Sequence, residues 1–244
     1  MSGWAGGGHM SLIAGVDGCK AGWIALIERL PAGQIDSAVS STPSDLCRSL
    51  ADVRVIAVDV PIGLTDRGPR VCDAEARRCL GRQRASSVFP PPIRPALRAT
   101  TREEASEIQE KIDGRRIGVQ AWGILPKIRE WDSCLRASAQ LAKQVFEVHP
   151  EVCFWALNGF KPMQHSKKTG DGRRERRELL VHEYGTEVMD EIRSRYARRD
   201  VTDDDIYDAF AALWTARRIH AEKASCLPES PPHDSTGLPM VIWY

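Results

Sequence analysis

The hydrophobic pattern of the first quarter of the chain predicts a sheet. Residues 12–17 and 53–60 are almost entirely aliphatic, which is typical of strands buried on both faces. Two further strands are predicted at 23–28 and 34–40, the first returning through a glycine-containing turn. A capped helix is predicted over 42–50. The early order of elements is therefore β-β-β-α-β.

The remainder of the chain carries mainly helical patterns, with two more strands. A strand is predicted at 144–150, and an apolar strand at 237–244. Helical signals over 117–142 are interrupted by Pro126, where we predict a break because an interior proline removes a backbone hydrogen bond. The other predicted helices are 72–80, 101–113, 151–157, 174–184, 186–198 and 203–222.

A proline-rich loop covers residues 82–95. Four prolines stand within residues 90–95, which excludes a helix there. Long loops inside compact domains are often functional, whereas a rigid surface loop is the alternative. We place Arg84 among the candidate contacts to substrate or phosphate.

Composition points to a soluble globular protein. Of the 244 residues, 42% are hydrophobic and 27% charged, and no apolar run approaches the ~20 residues of a membrane span. We predict one domain over 11–244 with insertions. Residues 1–10 lack the features of a signal peptide, so we interpret them as a flexible leader or a remnant of cloning. We expect no membrane partner; the oligomeric state stays open.

The seven cysteines show no C-x-x-C spacing, which indicates free thiols, a reducing cytoplasm and no zinc site. The net charge of +1 excludes a polycation, but arginines are concentrated over 173–199. Such a block holds phosphates or forms a solvated helical face with acidic partners, and we favour the second interpretation.

Aspartates at strand ends are the main candidate chemistry. Asp17 and Asp59 each follow an apolar run and precede a glycine or proline turn. If the two strands are parallel neighbours, their acids meet at one edge of the sheet, where ligands bind in open α/β folds. Alone, Asp17 is equally well explained as a turn residue.

The segment T-D-D-D-I-Y-D adds two further acids near a helix start. Asp205 lies in the first turn, where acids favour the helix dipole, so it has a structural explanation. Asp208 lies beyond that turn. Both share a face with Ala209, Ala212 and Ala216, a stripe that allows close packing on a sheet. We therefore predict that these acids join those at the strand ends.

Several other polar residues are weaker candidates. Glu147 is a further metal ligand or a surface acid, and His149 is interpreted as structural or capping. Lys127, Lys167 and Lys168 are candidate phosphate contacts, with solvated surface lysines as the alternative. No phosphate-binding glycine loop and no G-x-S-x-G motif occurs.

The element order and acid positions resemble the RNase H-like fold, and in acid placement the RuvC-type Holliday-junction resolvases. The resemblance implies a mixed sheet flanked by helices and a metal site of Asp17, Asp59, Asp205 and Asp208. Those resolvases carry Glu at the fourth strand, whereas this chain has Asp59.

More specifically, the chain resembles domain-of-unknown-function family 429, whose members are predicted RNase H-like nucleases. Eight segments in order carry this resemblance: G-V-D-G-C-K-A-G-W, A-V-D-V-P-I-G-L, S-S-V-F-P-P-P, P-K-I-R-E-W-D, E-V-H-P-E, S-K-K-T-G, D-D-D-I-Y-D-A-F-A-A and G-L-P-M-V-I-W-Y.

The leading expectation is hydrolysis of nucleic-acid phosphodiesters with Mg²⁺ or Mn²⁺. Asp17, Asp59 and Asp208 would bind one or two ions, with Asp205 and Glu147 assisting. The first alternative is a non-catalytic module on the same fold that binds nucleic acid or protein. The second is an actin-like small-molecule phosphotransferase, which the missing glycine-rich phosphate loop disfavours.

Overall fold

The computed structural model describes residues 10–244. Of the predicted leader, residues 1–9 lie outside the described residues, and only Met10 is described. Among the described helices, none is both long enough and apolar enough to cross a membrane.

A five-stranded mixed sheet forms the centre of the fold, with the strand order β3-β2-β1-β4-β5. β1 is antiparallel to β2 and parallel to β4, and β5 is parallel to β4. This arrangement confirms the predicted α/β class and is compatible with an RNase H-like fold. The strands are β1 Ser11–Cys19, β2 Gly22–Leu30, β3 Gln34–Ser40, β4 Val53–Val58 and β5 Val145–Glu147.

Helices cover both faces of the sheet. Threonines cap several of them, because their hydroxyls accept the free backbone N–H groups of the first turn, as at Thr42, Thr101, Thr169 and Thr202. The helices are α1 Pro43–Ser49, α2 Val71–Arg84, α3 Arg102–Asp113, α4 Val119–Ala137, α5 Ala139–Ala142, α6 Pro150–Leu157, α7 Gly170–Tyr184, α8 Thr186–Ser194 and α9 Asp203–His220.

Alternation along β1 assigns its side chains to two cores. Ala14 and Val16 belong to a core with α1 and α4, in which Trp131 packs edge-on against Trp23 of β2 at 5.6 Å. Ile13 belongs to the opposite core, which contains α6, α7, α8 and α9. Since the side-chain period of a strand is two, Gly15 and Asp17 share the α9 face with Ile13.

α9 approaches β1 more closely than any side chain at position 15 would allow. A Cβ added to Gly15 would lie 2.1 Å from the Leu213 nitrogen and 2.3 Å from the Ala209 oxygen. The predicted alanine stripe is confirmed, since Ala209, Ala212 and Ala216 are fully buried. Glycine on the strand and alanine on the helix together bring the two backbones into contact.

Two predictions about regular structure are wrong. α4 continues through Pro126, because Leu125 on one side and Ile128, Trp131 and Leu135 on the other are buried along the helix. Their packing offsets the roughly 3 kcal/mol that an interior proline costs. The apolar C-terminal segment forms only β7 (Ile242–Trp243).

β7 pairs with β6 (Cys226–Leu227) outside the main sheet. The prolines and turns before it, including the tight turn at Gly237, prevent a longer strand. Trp243 nevertheless makes an isolated parallel bridge to Val148, just beyond β5.

We predict that Gly15→Ala lowers the free energy of unfolding by about 1–3 kcal/mol or more, because the methyl group overlaps the α9 backbone. The matched control is Gly123→Ala on α4, where an added Cβ meets nothing within 4 Å. This control should raise stability by up to about 1 kcal/mol, because alanine is the better helix former. Urea unfolding measures both variants, and equal effects would contradict the close approach of α9.

Candidate metal centre and adjoining cleft

Parallel pairing of β1 and β4 brings the two strand-end aspartates together, as predicted. Val16 is the register partner of Val58, and the Asp59 N–H donates to the Val16 carbonyl at 3.0 Å. The next residue on each strand is therefore an aspartate at the same sheet edge. Asp17 is 6% exposed, while Asp59 is half-buried.

Asp208 of α9 completes a set of three acids. One carboxylate oxygen from each of Asp17, Asp59 and Asp208 lies within 4.8 Å of the others. Asp208 is 4% exposed. It is placed beside Asp17 because α9 contacts β1 at Gly15, two residues earlier on the same face. We call these three residues the carboxylate cluster.

Burial and the neighbouring carboxylates raise the pKa values of Asp17 and Asp59. Burial, followed by the carboxylates of Asp208 and Asp59, holds the pKa of Asp17 well above its usual range. Burial, opposed by His149 and reinforced by Asp208, raises the pKa of Asp59 to about 6. The cluster thus concentrates more negative charge than the surrounding protein neutralises.

Lys167 places a positive charge in direct contact with the cluster. Its ammonium donates to the Asp208 carboxylate at 2.6 Å, and this pairing raises the pKa of Lys167 above its ordinary value. With one ammonium against three carboxylates, two negative charges would remain if all four groups were ionised. The prediction that Lys167 contacts phosphate stays a prediction, but the residue lies at the correct edge of the sheet.

The loop that carries Lys167 is held by buried contacts at the start of α7. The Arg176 guanidinium donates to the carbonyls of His165 (3.1 Å) and Gly172 (2.8 Å) and pairs with the buried Glu151. Gly172 lies so close to Ser166 that a Cβ added to Gly172 would be 1.9 Å from the Ser166 carbonyl oxygen. These contacts fix the direction in which Lys167 leaves the backbone.

Asp205 lies outside the carboxylate cluster and caps α9. Its carboxylate accepts the Thr202 N–H at 2.8 Å, while the Thr202 hydroxyl accepts the Asp205 N–H at 3.2 Å. The structural explanation offered by the sequence is therefore present. Asp205 is near enough to contribute weakly to the raised pKa of Asp17.

Glu147 is not brought to the cluster either. It receives two hydrogen bonds from the fully buried Arg70, at 2.6 and 2.8 Å, and a third from the Ile62 N–H at 2.6 Å. Arg70 also pairs with Asp73 at 2.7 Å. Both carboxylate oxygens of Glu147 are thus engaged in a buried ion-pair network. Arg70 was not predicted as part of this network, although G-P-R-V-C-D places an Arg and an Asp three residues apart at a helix start.

Lys127 makes its contacts with backbone carbonyls and an aromatic ring of the protein. Its ammonium donates to the carbonyls of Cys19 (3.2 Å) and Gly22 (3.3 Å) and lies 4.8 Å from the centre of the Trp23 ring. A Cβ at Gly18 would lie 2.3 Å from the Lys127 nitrogen, so the glycine after Asp17 makes room for this lysine. Lys127 therefore holds the β1–β2 turn in place.

A cavity of about 470 Å³, here called the cleft, adjoins the cluster at Asp59. Three of the four predicted phosphate contacts line it, namely Arg84, Lys167 and Lys168. His149 also lines it, and its Nε2 lies 3.3 Å from the Ser87 carbonyl oxygen. The wall residues that the sequence analysis did not single out as ligands include Ser86, Ser87, Phe89 and Glu151.

The arginine block forms a paired surface, as the favoured interpretation held. The pairs are Arg174–Asp171, Arg177–Asp190, Arg193–Asp203, Arg195–Glu191, Arg198–Asp203 and Arg199–Asp200, with Arg176–Glu151 buried. The acidic partners are mainly aspartates. None of the eight arginines of the block lines the cleft.

Comparison with known proteins identifies the family. The family model described as "Protein of unknown function (DUF429)" matches residues 15–233, and the chain belongs to this family. This confirms the family that the eight sequence segments indicated. No curated protein and no solved structure matches the chain.

We predict a pH-dependent stabilisation by Asp59→Asn in metal-free buffer. The pKa of the Asp59 carboxyl is about 6 in the folded protein and 3.8 in the unfolded chain, so folding favours the protonated form. Stability is therefore lost as pH rises from about 4 to about 6. At pH 7 the variant should exceed wild type by about 1–3 kcal/mol, and the difference should disappear near pH 4.

Thermal unfolding across this pH range in EDTA measures the effect. Asp52→Asn is the matched control, because Asp52 is exposed and stands before β4 rather than after it. Its effect should be small and should not vary between pH 4 and pH 7. A variant at Asp59 that is no more stable than wild type at pH 7 would show that the cluster carries no uncompensated charge.

Proposed function

We propose that this DUF429 member is a metal-dependent nuclease that hydrolyses phosphodiester bonds of nucleic acid at the carboxylate cluster. The observation that carries the proposal is the convergence of Asp17, Asp59 and Asp208 from three separate elements. Holding Asp17 and Asp59 close to a third acid costs stability, as the raised pKa values of these two carboxyl groups indicate. An arrangement that weakens the fold is typical of a functional site.

The residues of the cluster fit a divalent cation. Mg²⁺ and Mn²⁺ prefer carboxylate oxygens, and Mg²⁺ is commonly held by one or two carboxylates together with phosphate oxygens and water. The two negative charges left after pairing with Lys167 match one divalent ion. Asp17, Asp59 and Asp208 would hold the ion, which when bound supplies an activated water and stabilises the leaving oxygen.

The chain's own residues supply binding and orientation. Lys167 contacts Asp208 of the cluster and lines the cleft, and its ammonium makes no second hydrogen bond to the described part of the chain. The Lys167 ammonium would bind a non-bridging phosphate oxygen beside the cluster. Lys168 and Arg84 would hold neighbouring phosphates, because contacts of this kind position a nucleic acid without reading its sequence.

One observation favours a second candidate, a non-catalytic module that binds nucleic acid. The Lys167–Asp208 ion pair already neutralises part of the cluster without any metal. If Lys167 replaces the ion functionally, the cleft would bind a phosphate backbone and the cluster would not hydrolyse it. Cleavage assays distinguish the two candidates directly.

We predict metal-dependent cleavage by the wild-type protein and its loss in Asp17→Asn and Asp208→Asn. Substitution of residues that merely support a metal ligand costs about 10–100-fold, so loss of a ligand itself should cost at least about 100-fold. The assay uses labelled single-stranded and duplex DNA and RNA with Mg²⁺, Mn²⁺ or EDTA.

The exposed Asp52→Asn variant is the control for contaminating nucleases, and it should cleave as wild type does. Folding of each variant is checked by thermal unfolding, in which the cluster variants should be at least as stable as wild type in EDTA. Cleavage that persists unchanged in both cluster variants would exclude the proposed centre. Absence of cleavage on every substrate, with binding retained, would favour the second candidate.

A further inference from the structure

We propose that the cleft receives one unpaired nucleotide of a single strand, with its base against Phe89 and its phosphate beside Lys167. The substrate class is then single-stranded nucleic acid rather than duplex. The position of the phosphate rests on the proposed function, whereas the binding of the base rests on the walls of the cleft alone.

The size of the cleft favours a single nucleotide. A volume of about 470 Å³ lies at the lower end of the range of pockets that enclose small ligands. A duplex, whose major groove alone is about 12 Å wide, cannot enter such a cavity. Proteins that place a nucleotide in a pocket of this kind act on single strands or turn the nucleotide out of the duplex.

One wall of the cleft suits the face of a base. Phe89 is half-buried at the end of the S-S-V-F segment, directly before the prolines, so its backbone is restrained. Ile124 of α4 lines the same cavity, as do Val88, Val148 and Ile242. Stacking on an aromatic ring tolerates every base, because each base has a π-face. An aromatic and aliphatic wall next to a carboxylate cluster is unsuited to binding a bare phosphate.

Polar atoms in the cleft wall lack partners within the protein. Glu151 is 4% exposed, and its Oε1 pairs with Arg176, but its buried Oε2 has no hydrogen-bond partner among the described residues. The same holds for Nδ1 of His149, two residues earlier. A carboxylate oxygen accepts hydrogen bonds, so a ligand that reaches Oε2 of Glu151 would donate an N–H or O–H. The edge of a nucleobase offers such N–H groups.

The cations that line the cleft beyond Lys167 favour a strand over a free nucleotide. Lys168 is exposed, and within residues 10–244 neither Lys168 nor Arg84 forms an ion pair. Arg84 donates to the carbonyls of Met163 and Gln164 and so presents its charge from a fixed position. One nucleotide at Lys167 leaves these two cations for the phosphates on either side of it.

Fluorescence anisotropy tests the proposal with a labelled 12-nucleotide single strand, the corresponding blunt duplex and a labelled mononucleotide, in EDTA at fixed salt. We expect the single strand to bind at least about tenfold more tightly than either other probe. Phe89→Ala should weaken strand binding by about tenfold or more. Phe89→Tyr retains an aromatic ring and should bind as wild type does.

The matched control is Phe160→Ala. Phe160 is 58% exposed, next to Trp155, and does not line the cleft. Its replacement should leave strand binding unchanged. Glu151→Gln keeps the shape of the side chain but introduces a donor, so it should alter the relative affinities for oligo-A, oligo-C and oligo-T strands. Thermal unfolding confirms that each variant is folded.

Three results would overturn the proposal: a duplex that binds as tightly as the strand, a mononucleotide that does so, or equal strand binding by Phe89→Ala and Phe160→Ala. These outcomes are separable from failure of the nuclease proposal, because binding is measured without metal. Metal-dependent cleavage of duplex alone would support the nuclease proposal and contradict the proposal that the cleft binds an unpaired nucleotide. Strand binding that depends on Phe89, without any cleavage, would support the binding of an unpaired nucleotide and contradict the nuclease proposal.

Discussion

The backbone contact between β1 and α9 at Gly15 determines the geometry of the candidate centre. Without a side chain at Gly15, the Ala209 and Leu213 backbone comes within reach of the strand. Asp17 is two residues further along the same face, and Asp208 directly precedes Ala209. The height at which α9 crosses β1 therefore sets the distance between the two acids. A larger residue at position 15 would move the helix outwards and separate them, whatever else remained folded.

The same contact makes the site electrostatically unfavourable until a cation arrives. Parallel pairing of β4 adds Asp59, and burial removes the water that would otherwise solvate the three carboxylates. Lys167 compensates one charge, and its loop is fixed by the buried Glu151–Arg176 pair. Hydrophobic packing thus offsets the repulsion between the like charges of the cluster. Proteins tolerate such a cost mainly where function requires it.

Local sequence pattern predicted those parts of the structure that depend on nearest neighbours. The aliphatic strands, the capped start of α1 and the alanine stripe follow from local sequence patterns, and the meeting of the strand-end acids follows from parallel pairing. The sequence does not show which distant residues pair with each other. The pattern around Glu147 is equally consistent with a metal ligand, and only the structure shows that its partner is Arg70. The continuity of α4 through Pro126 likewise depends on packing against the sheet. The cleft could not be predicted from the sequence because its walls come from seven separate segments.

The most direct test of the account is the position of a bound metal. Crystals of the protein soaked in Mn²⁺ should show an anomalous peak coordinated by the carboxylates of Asp17, Asp59 and Asp208, with the Lys167 ammonium displaced from Asp208 or sharing it. The peak should disappear in Asp17→Asn crystals. Well-diffracting wild-type crystals that show no peak at the cluster, with Lys167 still bound to Asp208, would contradict the claim that this is a metal centre.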